Sequence, residues 1–274
     1  MFDLITGQCL KTFQGHSNWV QSVKLLNEDQ IVTCSTDKSI KIWDLTTGNC
    51  IRTLLGHSDA VFGIVILSDD RIASCSQDKT IRIWEAESGC CIKILNGHTE
   101  IIRSIVALPN HSSGNLLSCS ADKTIKLWNV DSGECLTTFT GHDKPVVCLE
   151  VLSDEKILSG SCDKTIKVWN VNTGLCLQTL KGHSDFVRCI KILSDERIIS
   201  GSEDKTMKIW CLKTNSCIIT INGHSDAIRG IQVLPGDKVA SCSNDKTFKI
   251  WDLASASCVK TFQSESGILS INAF

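Results

Sequence analysis

Histidine, aspartate and serine recur together along this 274-residue chain. They are the side chains of a hydrolase triad, in which a hydroxyl nucleophile gives its proton to an imidazole that a carboxylate holds in place. Six of the seven histidines follow a glycine: Gly15-His16, Gly56-His57, Gly97-His98, Gly141-His142, Gly182-His183 and Gly223-His224. Downstream of each comes an aspartate and, six residues later, a tryptophan: Asp37/Trp43, Asp78/Trp84, Asp122/Trp128, Asp163/Trp169, Asp204/Trp210 and Asp245/Trp251. A catalytic site needs one copy of its chemistry. Copies separated by 41, 41, 44, 41 and 41 residues are instead the mark of equivalent modules, each carrying what holds it together. A hydrolase on one irregular module would need a singular side chain, and His111, Cys148 and Cys189 stand outside the recurrent sets.

The sixteen cysteines follow the same period. Cys9, Cys50, Cys91, Cys135, Cys176, Cys217 and Cys258 share one register, and Cys34, Cys75, Cys119 and Cys242 share another. Equivalent positions in successive modules lie too far apart for disulfides, so these thiols are expected to be small buried apolar groups in a reducing compartment. There is no CxxC pair, Gly-rich phosphate loop or HExxH, so no metal and no cofactor is expected. Lys and Arg number 28 against 30 Asp and Glu, which argues against general nucleic-acid binding. The start "MFDLITGQCL" has neither the basic residues nor the apolar run of a secretory signal, and no stretch is apolar enough to span a membrane. The expected location is cytoplasmic or nuclear.

Positioning these residues falls to short β-branched segments bounded by turn residues, which make the chain all-β. In residues 184–220, "FVRCIKIL", "RIISGS", "TMKIW" and "CIITI" read as four strands separated by "SDE", "EDK" and "CLKTNS". The first strand has its apolar residues at Val187, Ile190 and Ile192; the step of three in a period-two pattern predicts a bulge. The longer spacing falls in "LPNHSSGNLL", a loop that absorbs three extra residues. A four-stranded sheet every 41 residues cannot cover its own faces, and stacking such sheets around an axis makes a propeller.

With Gly-His pairs followed by Trp43-Asp44 and Trp251-Asp252, the chain resembles the WD-repeat (WD40) β-propeller family over essentially its whole length. Trp84-Glu85, Trp128-Asn129, Trp169-Asn170 and Trp210-Cys211 are variants of the second pair. The resemblance implies a hydrogen-bonded quartet in each blade, exemplified by Asp204, His183, Ser200 (or Ser202) and Trp210. An orphaned member of such a buried set costs about 1–3 kcal/mol, which explains why "SGSEDKTMKIW", "SGSCDKTIKVW" and "SCSADKTIKLW" repeat one another.

At the ends, "FDLITGQCLKTFQ" (residues 2–14) aligns with "WDLASASCVKTFQ", and "SESGILSINAF" continues in the register of "GHSNWVQSVKL". The expected architecture is a single propeller domain over residues 1–274, with six complete blades and pieces of a seventh: an N-terminal outer strand and a C-terminal inner strand. The chain is read as an excerpt lacking most of that blade.

Function is then expected where the blades differ. Three and five residues after each histidine the chain places Trp19 and Gln21, Ala60 and Phe62, Ile101 and Arg103, Pro145 and Val147, Phe186 and Arg188, and Ala227 and Arg229. The family resemblance puts them on the top rim of the central channel, with Glu203. Trp, Phe and Arg are frequent anchors of protein interfaces, so the rim is expected to bind partner proteins or peptides without catalysis. The competing readings are packing between blades for Trp19, Phe62 and Phe186, and pairing with Glu100, Asp185 or Asp226 for the arginines. Arg188 and Arg229, at one height in adjacent blades, are also similar to the phosphate-reading arginines of F-box-linked WD propellers; Glu203 beside them would repel a phosphate. The loops "NEDQ", "SDDR", "SDEK", "SDER" and "PGDK" form an acidic fringe on the opposite rim.

Overall fold

A computed structural model describes residues 9–67, 69–108, 114–193 and 196–264. Blade 1 consists of β1 (Val20–Asn27), β2 (Gln30–Ser35), β3 (Ile40–Asp44) and β4 (Cys50–Leu54). Blade 2 has β5 (Val61–Ile66), β6 (Ile72–Ser76), β7 (Ile81–Trp84) and β8 (Cys91–Leu95). Blade 3 has β9 (Ile102–Ala107), β10 (Asn115–Ser120), β11 (Ile125–Asn129) and β12 (Cys135–Phe139). Blade 4 has β13 (Val146–Ser153), β14 (Lys156–Ser161), β15 (Thr165–Asn170) and β16 (Cys176–Lys181). Blade 5 has β17 (Val187–Ile192), β18 (Arg197–Ser202), β19 (Met207–Cys211) and β20 (Ser216–Ile221), within a residue or so of the segments read from the sequence. Blade 6 has β21 (Ile228–Leu234), β22 (Lys238–Ser243), β23 (Thr247–Asp252) and β24 (Ser257–Gln263). Each blade is an antiparallel meander in chain order.

The core lies between blades. Val32, Ile40, Ile42 and Leu54 of blade 1 close on Val61, Ile64, Ile72 and Trp84 of blade 2, and blades 5 and 6 meet through Ile199, Met207 and Ile209 against Ile228, Ile231 and Val239. Since a blade is apolar on both faces, it is stable only between neighbours. Polar ties supplement this burial. The lysine of each turn "DK" has a left-handed backbone, as at Lys164 with φ 73°. From there Lys38, Lys79 and Lys164 donate to the carbonyls of Ser58, Thr99 and Ser184 in the following blade, at 2.6–2.8 Å.

The inner strands pack in the order β1, β5, β9, β13, β17, β21, and among the described residues no packing of that extent returns from β21 to β1. Val20 is accordingly 41% exposed, whereas its blade 2 equivalent Val61 is sealed. Most of the expected seventh blade lies outside the described residues. Of its N-terminal piece, Lys11 donates to Leu45 O at 2.7 Å and Phe13 stands edge-on to Trp43 at 5.9 Å. Phe139 of blade 3 meets Trp169 of blade 4 in the same way, at 6.0 Å.

One expectation is corrected. The cysteines of the second strands (Cys34, Cys75, Cys119, Cys242) are buried, but those beginning the fourth strands are not: Cys9, Cys50, Cys135, Cys176, Cys217 and Cys258 are exposed and Cys91 is half-buried. The fourth strand is the outer edge of its sheet, with no strand beyond it. Each thiol turns along this edge and donates to a carbonyl two residues on, as Cys50 does to Arg52 O at 3.3 Å.

Candidate functional site

The repeated polar residues meet in every blade. In blade 5, Trp210 Nε1 donates to Ser200 Oγ at 2.8 Å, Ser200 Oγ lies 2.8 Å from His183 Nε2, and His183 Nδ1 lies 2.7 Å from Asp204 Oδ2. A carboxylate can only accept here, so Nδ1 carries the proton and Nε2 accepts from the serine hydroxyl. Hydrogen-bond donation therefore runs from Trp to Ser to His and ends on the accepting Asp. His57, His98, His142 and His224 repeat it with Ser74, Ser118, Ser159 and Ser241, respectively. Each reaches its aspartate, Asp78, Asp122, Asp163 or Asp245, at 2.6–2.8 Å. In blade 1 Thr33 takes the serine's place between His16 and Trp43. Ser202 stands outside the quartet and braces the turn, its hydroxyl donating to Asp185 O and accepting from Asp204 N.

Burial by itself would raise the Asp204 carboxyl, but hydrogen bonds from His183 and Thr206 outweigh it and hold the group well below the usual carboxylate range. Asp78, Asp122, Asp163 and Asp245 behave alike, and Asp37 is brought to about 2 against the same burial, mainly by Ser39 and His16. Gly182 is required beside this set, because a Cβ there would stand 3.2 Å from the Trp210 ring at φ 156°. The serine hydroxyls are sealed between tryptophan and histidine, so the triad-like residues present no nucleophile to solvent.

Cys148 and Cys189, singular in the sequence, are not singular in space. Cross-strand pairing sets Ser22 opposite Cys34, Gly63 opposite Cys75 and Ser104 opposite Cys119. Blades 4 and 5 reverse the arrangement, with Cys148 opposite Gly160 and Cys189 opposite Gly201, and blade 6 returns to Gly230 opposite Cys242. Every blade thus has one sulfur in the same gap, faced by a residue small enough to admit it. A Cβ on Gly160 would stand 2.5 Å from Cys148 Sγ. Burial pushes the thiols of Cys75, Cys148 and Cys242 far above the ordinary range and that of Cys189 to about 12, so they are poor nucleophiles. His111 lies outside the described residues. Among the described residues no group of three or more His, Cys, Asp or Glu is placed to hold a metal ion.

The rim is built by the bulges. In each first strand the register slips by one residue, and the residue left unpaired is Gln21, Phe62, Arg103, Val147, Arg188 or Arg229. Two residues earlier, the backbones of Trp19, Ala60, Ile101, Pro145, Phe186 and Ala227 accept from the residue before each turn aspartate, at 2.8–3.0 Å. The fold therefore fixes these backbones and frees the side chains, most of which are half-buried; Trp19 is 69% exposed, while Ala60 and Ala227 are buried. Trp19 is thus not a packing residue between described blades.

Two aromatic–guanidinium contacts stand on this rim: Arg103 over Phe62 at 4.8 Å and Arg188 over Phe186 at 5.6 Å. The carboxylate that pairs with Arg188 and Arg229 is Glu203, and not Glu100, Asp185 or Asp226. Arg188 binds it through Nε at 2.8 Å and through a second, shorter contact from Nη2. Arg229 reaches it at 3.5 Å while donating to Asn244 Oδ1 at 2.8 Å. Asp185 and Asp226 instead cap the backbone N–H groups of Phe186 and Ala227. Arg103 has no carboxylate partner among the described residues, and burial, followed by the charge of Arg188, lowers its affinity for its proton. Arg188 meets Glu203 within blade 5 and Arg229 reaches it from blade 6; neither pairing was readable from one-dimensional spacing, and only the adjacency of Glu203 to its turn aspartate hinted at it.

Residues 7–44, 174–211 and 215–252 match the family described as WD domain, G-beta repeat, and residues 47–179 match a β-propeller family described as WDR41. The chain belongs to the WD-repeat β-propellers. A comparison with curated proteins gives no match. WD-repeat propellers generally mediate protein–protein interaction and are generally non-catalytic scaffolds, and in this one the polar quartets lie inside the blades while the rim is left to vary.

Proposed function

We propose that this WD-repeat propeller is a non-catalytic scaffold that binds partner proteins or peptides on its top rim, through Trp19, Phe62, Ile101, Arg103, Val147, Phe186 and Arg188 with Gln21, Arg229 and Glu203 around them. The observation that supports it is the bulge geometry: one side chain per blade is released from the sheet, at a position where the blades differ. Exposed Trp19 and the two aromatic–guanidinium pairs offer large apolar area with a charged handle, the composition of an interface anchor. All sixteen cysteines are free thiols, which suits a cytoplasmic or nuclear setting. The test compares proteins co-purifying with the wild type and with Trp19→Ala/Phe186→Ala, a variant whose melting midpoint is expected to stay close to wild type. Loss of specific partners at unchanged stability supports the reading; an identical partner set overturns it.

A narrower reading, the substrate-recognition propeller of a ubiquitin ligase or similar assembly, asks Arg188 and Arg229 to grip a phosphorylated or acidic peptide. As the rim stands, Glu203 already occupies both guanidinium groups, so a phosphate must displace it. Glu203→Gln is expected to strengthen binding of a phosphoserine peptide at least tenfold under this reading. Unchanged or absent binding in both proteins removes it.

A further inference from the structure

In two blades the repeat provides the bulged arginine with an acceptor of its own. The residue before the turn aspartate stands beside the bulge, and its side chain meets the guanidinium Nε: Glu203 Oε1 takes Arg188 in blade 5 and Asn244 Oδ1 takes Arg229 in blade 6, both at 2.8 Å. Blade 3 keeps the same backbone. Ala121 N donates to Ile101 O at 2.8 Å, as Glu203 N does to Phe186 O at 2.9 Å and Asn244 N to Ala227 O at 3.0 Å. The side chain of Ala121 is only a methyl group, so the bulged Arg103 finds no acceptor where Arg188 and Arg229 find theirs. Among the described residues no side chain or carbonyl accepts from its guanidinium.

What holds Arg103 is Phe62, the bulged residue of blade 2, over whose ring its Cζ lies at 4.8 Å. A contact through the ring face consumes none of the five N–H donors. Both residues are half-buried, so the guanidinium is held in place, partly stripped of water and left without the acceptors that its charge requires. A group that accepts two parallel N–H bonds and carries one negative charge answers both deficits, and a carboxylate is that group. The rim residues around it in blades 2, 3 and 4, Phe62, Ile101 and Val147, are apolar and half-buried. We propose that Arg103, stacked on Phe62, is the seat for an aspartate or glutamate side chain of the partner, one with apolar residues beside it in the partner's sequence. The seat rests on the rim-binding reading and narrows it to acidic partners. It differs from the phosphate reading in the arginine used: Arg188 and Arg229 must first give up Glu203, whereas Arg103 has no partner to give up. Trp19 in blade 1 and Phe186 in blade 5 lie to either side of blade 3, so a chain that reaches both crosses Arg103 with an internal residue and not with its C-terminal carboxylate.

The test selects random dodecapeptides displayed on phage against the immobilised whole chain. The enriched peptides, made with amidated C-termini, are then measured by fluorescence polarisation. They are expected to carry an Asp or Glu beside apolar residues. Arg103→Ala is expected to weaken their binding at least tenfold, and Ala121→Glu, which supplies the missing acceptor within the blade, to weaken it as much; the melting midpoints of both variants are expected to stay close to wild type. Changing the peptide acid to its amide is expected to cost the wild type the same factor and the Arg103→Ala variant nothing further, a coupling that general damage to the rim does not produce. Peptides that lose binding with Trp19→Ala/Phe186→Ala but keep it with Arg103→Ala overturn the seat and leave the rim reading standing. Enrichment of sequences without an acid, or no enrichment, also overturns the seat, and peptides indifferent to all of these substitutions overturn the rim reading with it.

Discussion

Asp204 accepts four hydrogen bonds, from His183 Nδ1, Ser184 N, Thr206 N and Thr206 Oγ1, at 2.6–3.0 Å. Removing the carboxylate leaves the buried imidazole N–H without a partner, so Asp204→Ala is expected to destabilise by about 1–3 kcal/mol. Arg188→Ala, which leaves Glu203 its contact with Arg229, is expected to lower the melting midpoint less; the reverse ranking in thermal melts would exchange the roles assigned to the two residues. The carboxyls also fix an acid sensitivity. Their folded pKa values lie below the unfolded ones, so their stabilisation is complete above about pH 4 and is lost as pH falls through the folded values, about 2 for Asp37. Burial lowers His16 and His224 as well; the unfolded chain takes up those protons first, so stability begins to decline as pH falls through about 6.5. Denaturant midpoints measured from pH 8 to 3 are expected to fall in two stages, and a rise on acidification would contradict the assignment.

Between strands, the unit is the cross-strand pair of one cysteine and one small residue. A methyl group on Gly160 would stand 2.5 Å from Cys148 Sγ and 2.8 Å from Val187 Cγ1, so Gly160→Ala is expected to destabilise by roughly 1–3 kcal/mol through overpacking. Adding Cys148→Gly is expected to restore part of that loss. A double-mutant cycle with no coupling between the two would show that they do not share one gap. The strands themselves were legible: β-branched runs between Asp-Lys and Gly-rich turns gave all four strands of blade 5 to within a residue or so. The step of three from Val187 to Ile190 located the bulge at Arg188. The exchange of Cys148 for a second-strand cysteine was not legible, because it shows only once the register between β13 and β14 pairs it with Gly160.

Around the whole propeller the thiols divide by radius. Cys9, Cys50, Cys90, Cys135, Cys176, Cys217 and Cys258 are exposed, while Cys34, Cys75, Cys119, Cys148, Cys162 and Cys242 are buried. Alkylation of the native protein followed by mass spectrometry is expected to label the first group readily and to spare the second until the blades unfold. Early labelling of Cys75 or Cys148 would mean that the inter-blade core opens locally. The quartets lie within the blades, and the bulged side chains that differ from blade to blade are left out of the strand pairing.

The period of Gly-His and Trp, together with the apolar pattern of the segments between them, was enough to give the propeller, its strands and its bulges; the quartet was an implication of the family resemblance, with Ser200 or Ser202 left open. The period could do so because every module must bury the same faces and satisfy the same donors. Which arginines are held by Glu203 and which cysteines stand at an open edge were decided by tertiary structure alone. Those relations depend on the reach of side chains, within a blade and from one blade to the next, and on which strand is left at the sheet edge, and neither leaves a trace in the spacing of the repeat.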